Sequence, residues 1–159
     1  MLKNKKLLKE YSTDIIKVYS VDGDFIRKND DADFFRGGNW LAQAIVPTKE
    51  IWVDNTLPKK EQKLVILKNY SQAIQMAKSV NYEDAVYFAD KIDDKLSESK
   101  IDELIKKEMA KTKKMAITDD SFMNGQIHHQ KHHQYNQVNH ARNATIVDFN
   151  RNEQIRTAR

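Results

Sequence analysis

The sequence predicts an α+β protein: a small, mainly antiparallel sheet packed against two to three helices, with a polar C-terminal appendage. Three observations lead there. Short apolar-polar alternations broken by Gly and Pro fill the stretch up to Asn55. Apolar residues then recur every three or four positions from Lys59 to about Lys114, the period of an amphipathic helix. Past residue 117 that pattern gives way to Asn, Gln and His, which make up 16 of the 31 residues from Asn124 to Gln154. The chain divides accordingly into a leader at 1–13, a folded body at 14–116 and an Asn/Gln/His-rich tail at 117–159.

The first strand is expected in Asp14–Ser20 (DIIKVYS), around Ile16 and Val18. Val21-Asp22-Gly23-Asp24 reads as a turn, because glycine accepts backbone angles that other residues resist. Phe25-Ile26-Arg27 then reads as the returning strand. Gly37-Gly38 reads as a tight turn into Trp40–Val46, with Pro47 interrupting and Glu50–Val53 (EIWV) resuming the extended run. Trp40 and Trp52, in strand-like segments, are expected in the core. A helix over Lys59–Ser79 follows Pro58, with Leu64, Leu67, Tyr70, Ile74 and Ala77 or Lys78 on one face and Val65, Ile66, Ala73 and Met76 widening it. Asn81 is the expected N-cap of the next helix, whose face is Ala85, Phe88, Ala89, Ile92 and Leu96. Ser99-x-x-Asp102 is the expected cap of a third, with Ile101, Leu104, Ile105 and Met109 inward.

Composition limits the chemistry. Charged residues are 31% of 159, with 4 Gly and 2 Pro, which suits a helix-rich globular domain. There is no Cys, so disulfides, thiolate catalysis and Cys-ligated zinc are excluded. No apolar run approaches the roughly 18 residues of a membrane span, and Met1–Glu10 lacks the apolar core of a secretory signal; a cytoplasmic location is expected. Net charge is +4, which favours an acidic or nucleic-acid partner without specifying one. Gly37-Gly38 has no phosphate-loop frame around it. Asp30, Asp31 and Asp33 lack the Gly and final Glu of a calcium loop, and read as a solvated turn.

The succession VDGDFIR, DFFRGGNW, VPTKEIWVD and LVILKNYSQAIQMAKSVNYEDAVYFA resembles the small zincin-like proteins of phages and mobile elements, over about Ile15–Lys95. The resemblance implies a helix carrying a zinc site of the HExxE…H kind. Residues four apart on a helix share a face and can both ligate one zinc, while the Glu after the His acts as general base. In this sequence Lys68 and Asn69 stand where His-Glu would be, Gln72 at the second ligand and Val86 at the later His. The resemblance therefore implies a scaffold without its metal: a pseudoenzyme with no catalytic residue and no cofactor.

Size and general character also resemble anti-CRISPR proteins that inhibit Cas9-type nucleases. The expected function is non-enzymatic: inhibition of a host defence protein by direct binding, with a type II Cas9 nuclease or its guide-RNA complex as partner. A basic chain does not suit mimicry of DNA. Two alternatives stay open. One is a metal-dependent hydrolase with a rearranged site, drawing on His128, His129, His132 and His133, whose i,i+4 pairs are weak zinc or nickel candidates. The other is a nucleic-acid-binding regulator. The tail's one apolar run, Ala144–Phe149, is suited to docking on a partner.

Overall fold

The computed structural model describes residues 4–115, and they form the expected α+β fold. Strands β1 (Lys6–Leu7), β2 (Lys17–Val21), β3 (Gly37–Asn39) and β4 (Glu50–Asp54) make one sheet in the order β1-β2-β4-β3. The two outer pairings are antiparallel; the central one, β2 with β4, is parallel, with Val18 opposite Ile51 and Val21 opposite Asp54. A parallel pair needs a crossover, and here it carries the short helix α1 (Gly23–Asn29) and then β3. β1 comes from within the segment read as a leader, so the fold starts before residue 14. Two residues are too few to leave a pattern.

Helices α2 (Lys59–Ala77), α3 (Tyr82–Asp90) and α4 (Glu98–Lys114) complete the domain. α2 is its spine: it touches β3 and β4 on one side and α3 and α4 on the other. The expected wide face is buried from Leu64–Leu67 through Tyr70, Ala73, Ile74 and Met76, and emerges at its end, where Ala77 is half-buried and Lys78 exposed. α2 ends in a Schellman motif, with the Val80 N–H on the Gln75 carbonyl, the Ser79 N–H on that of Met76, and Ser79 at φ 69°. Trp40 and Trp52 are both in the core. Among the described residues no helix is long and apolar enough to cross a membrane.

Four local expectations are corrected. Phe25-Ile26-Arg27 is helix, not strand: the Asp22 carboxylate accepts the Phe25 N–H at 3.0 Å, an N-cap, and only Ile26 of the three is buried. Gly37-Gly38 is strand, paired with β4 so closely that a Cβ at Gly37 would lie 2.4 Å from the Trp52 carbonyl oxygen, which is why glycine stands there. Trp40–Val46 instead forms turns, started by the Asn39 side chain, which accepts the Leu41 and Ala42 N–H groups. The cap of α4 is Ser97, whose hydroxyl accepts the Lys100 N–H at 3.3 Å, two residues before the expected Ser99.

Candidate functional site

The four positions that the resemblance singles out lie on the two helices expected to carry them, and two of them meet. Asn69 and Gln72, one turn apart on α2, face β3. There the fully buried Asn39 donates through Nδ2 to Asn69 Oδ1 and to Gln72 Oε1, each at 3.0 Å. Asn39 Oδ1 accepts from the Leu41 and Ala42 N–H groups, both at 3.1 Å. Asn69 Nδ2 in turn donates to the Val65 carbonyl at 2.9 Å. Asn39 is thus saturated, and the three amides clamp strand to helix.

Lys68 turns another way. Its ammonium pairs with Asp94 at 2.9 Å, at the rim of a depression of about 260 Å³ between α2 and Arg36. The hydrogen bond and charge of Lys68 hold the Asp94 carboxyl below its usual range. Val86 is half-buried on α3, after the buried Ala85.

These residues do not fit a zinc ion. Zinc takes imidazole, thiolate or carboxylate donors. Here Lys68 offers a cation engaged with Asp94, Val86 has no donor atom, and the oxygens of Asn69 and Gln72 are committed to Asn39. An amide does not take up a proton near neutral pH, so it cannot replace the general base. Among the described residues no three His, Cys, Asp or Glu side chains gather closely enough to hold a metal. His128, His129, His132 and His133 lie outside the described residues, as does Ala144–Phe149.

A second polar cluster closes the sheet at the carboxyl ends of β2 and β4. Asp54 is buried and accepts from the Gly23 N–H, the Thr56 N–H and the Thr56 hydroxyl through Oδ1, and from Arg27 through Oδ2 at 3.0 Å. Burial pushes its carboxyl up, but the Thr56 and Arg27 hydrogen bonds outweigh that and hold it below the usual range. The cluster fastens α1 to the sheet, and a Cβ on Gly23 would fall 2.1 Å from Asp54 Oδ2. A third joins Tyr11, Lys63, Glu98 and Asp102 between the N-terminal segment, α2 and α4. Burial and the bond to Asp102 push the Tyr11 phenol up to about 12. Each of these is a structural tie.

The surface carries a different signal. Phe25, Phe35, Tyr87 and Phe88 are 46%, 72%, 60% and 50% exposed. Tyr87 and Phe88 meet edge to face with ring centroids 6.1 Å apart, and the Lys91 ammonium lies 4.3 Å from the Tyr87 centroid. The Arg36 guanidinium lies 5.7 Å from the Phe35 ring. Sequence reasoning had placed Phe25 in a strand and Phe88 in the core. The available signal was adjacency: neighbouring helix residues point about 100° apart, so Tyr87-Phe88 cannot both face α2. With buried Ala85 and Ala89 fixing the inward side of α3, both rings fall outside it.

Compared with family models, curated proteins and solved structures, the chain matches none.

Proposed function

We propose that this chain is a non-enzymatic protein of phage or mobile-element origin that acts in the host cytoplasm by binding a host defence protein. A type II Cas9 nuclease or its guide-RNA complex is the first partner to test. The observation that carries the binding reading is the set of exposed rings, Phe25, Phe35, Tyr87 and Phe88. Aromatic side chains supply a disproportionate share of interface energy, and burying an exposed ring gains about 25 cal/mol per Å² of apolar surface. Tyr87 and Phe88 together give an exposed aromatic ledge, the residue type that protein interfaces favour at their centres, with the Lys91 ammonium at its edge. The non-enzymatic reading rests on the amides at 69 and 72, which leave neither a metal ligand nor a base on that face of α2.

The test is capture of a Cas9–guide complex by the full chain, with target cleavage measured alongside. The chain is expected to bind and to inhibit; F35A and the pair Y87A/F88A are expected to weaken both by at least about tenfold with the fold unchanged. No binding and no inhibition across several type II nucleases would remove the Cas9 reading. Undiminished binding by both variants would remove the aromatic surface from it. A folded K68A/N69A/Q72A chain that has lost all activity would return the protein to the enzymes.

A further inference from the structure

We infer that a lysine-lined cleft between the N-terminal segment and the end of α4 binds the phosphate backbone of duplex nucleic acid, independently of the aromatic surface. The cleft, about 350 Å³, is lined by Lys9 from the 3-10 turn, Lys17 from β2 and Lys113 from α4, with Asp14 as its one carboxylate. Three cations from three separate elements meet there. An anion seated in the cleft would be attracted by all three, against a single carboxylate.

The lysines of α4 divide in two. Lys100, Lys107 and Lys111 pair with Glu103 or Glu108 within the helix. Lys106, Lys113 and Lys114 are exposed and, among the described residues, make no ion pair or hydrogen bond. Of these, Lys106 and Lys113 are seven apart and share one side of the helix. That side is also Asp102's, four residues before Lys106, and Asp102 accepts from the Tyr11 hydroxyl at 3.0 Å. Lys106 and Lys113 therefore continue the α4 face that meets the N-terminal segment. Lys9 is likewise unpaired, while Lys17 donates to the Thr13 carbonyl at 2.9 Å.

The chemistry of the lining selects the partner. Protein interfaces are depleted in lysine and enriched in aromatics and arginine; this cleft has lysines and neither of the others. Single-stranded nucleic acid is usually held on aromatic stacking platforms as well as cations, and here there is none. Flexible ammonium groups without a stacking surface match evenly spaced phosphates, read without regard to sequence.

Fluorescence anisotropy of the full chain with labelled DNA and RNA duplexes of about 20 base pairs, between about 50 and 200 mM salt, tests this. The unsubstituted chain is expected to bind at micromolar concentrations, weakening steeply with salt. K9Q/K106Q/K113Q is expected to weaken binding at least about tenfold and to flatten the log–log salt slope by nearly 3, at about 0.9 per lost phosphate contact. K100Q/K107Q/K111Q removes the same charge from the paired set and is expected to cost less than about threefold. K113Q alone, flattening the slope by about 0.9, serves should the triple variant not fold. Equal weakening by the two triple variants, or no binding at the lowest salt, overturns the inference. So does displacement of the duplex by poly-glutamate at matched charge as readily as by unlabelled duplex, which would assign the cleft to an acidic protein.

Discussion

Replacing Asn39 by alanine should destabilise the domain more than any other single amide change. The substitution removes two hydrogen bonds to α2, through Asn69 and Gln72, and two from the Leu41 and Ala42 N–H groups. Ala42 keeps a second bond, to the Asn39 main-chain carbonyl at 3.1 Å, so the Leu41 N–H is the group left stranded in the core. At about 0.5–1.5 kcal/mol net per bond, allowing for non-additivity, N39A should cost about 2–4 kcal/mol. That corresponds to a fall in Tm of about 10–20 °C for a domain of this size. Urea unfolding followed by tryptophan fluorescence is the assay, because Trp40 adjoins Asn39 and Trp52 pairs opposite Gly38. N69A and Q72A should each cost about 1 kcal/mol, and each should cost less in the N39A background, since its bond to Asn39 is already gone. A Tm shift for N39A below about 3 °C would refute the clamp.

D54N should cost about 2 kcal/mol at neutral pH, because Arg27 and the Thr56 donors then face a neutral group. The Asp54 carboxyl lies below its unfolded value of about 3.9, so its stabilisation is present above that pH and is lost as pH falls through the folded value. The gap between D54N and the unsubstituted chain should therefore close on acidification; a gap constant from pH 7 to pH 2 would place the effect in packing instead. S79G should stabilise by up to about 1 kcal/mol, since glycine carries no side-chain penalty at the positive φ that closes α2; a lower Tm would contradict it. K68H/N69E/Q72E/V86H, which writes the HExxE…H pattern back into the chain, should take up about one zinc per chain in metal analysis. A folded variant that takes up none would break the register on which the resemblance rests.

The helical half was legible because burial there follows a single period. The residues assigned to the face of α2 are buried from Leu64 to Met76, with only Ala77 and Lys78 at its end left partly or fully exposed, and Ala85, Ala89, Ile101 and Ile105 are buried on the later helices. The first half was less so, for a topological reason. β4 lies between β2 and β3 and under α2, so Ile51, Trp52, Val53 and Asp54 are all buried and the alternation of a half-exposed strand is absent. Hairpin logic pairs Phe25–Arg27 with β2, whose partners are instead β1 before it and β4, some thirty residues on. Of the candidate site, the meeting of Asn69 and Gln72 followed from their spacing, but Asn39 did not. A buried Asn in a Gly-Gly-Asn-Trp stretch reads as a turn residue, and it does start a turn; nothing local shows that its other end reaches α2, thirty residues later.

The amide clamp also bears on why glutamines and asparagines stand where the resemblance implies carboxylates. Amide and carboxylate have nearly the same shape, so either fits the space between β3 and α2. Without a cation, carboxylates at 69 and 72 would set two negative charges around one buried Asn39 Nδ2, and each would carry a desolvation cost that a single N–H₂ group cannot offset. Two amides in the same space carry no charge, and Asn39 satisfies an oxygen of each. Lysine at 68 follows the same logic: its long side chain reaches out to Asp94 near the surface instead of entering the cluster. Asn69 and Gln72 are therefore mutually consistent: neither brings a charge that would be costly to bury unpaired, and both add bonds that hold the helix to the sheet. A chain that had lost a metal site by isolated changes would carry a stranded acid or an unfilled donor there. This one carries a closed hydrogen-bond network, which gives the fold its own reason to keep Asn69 and Gln72.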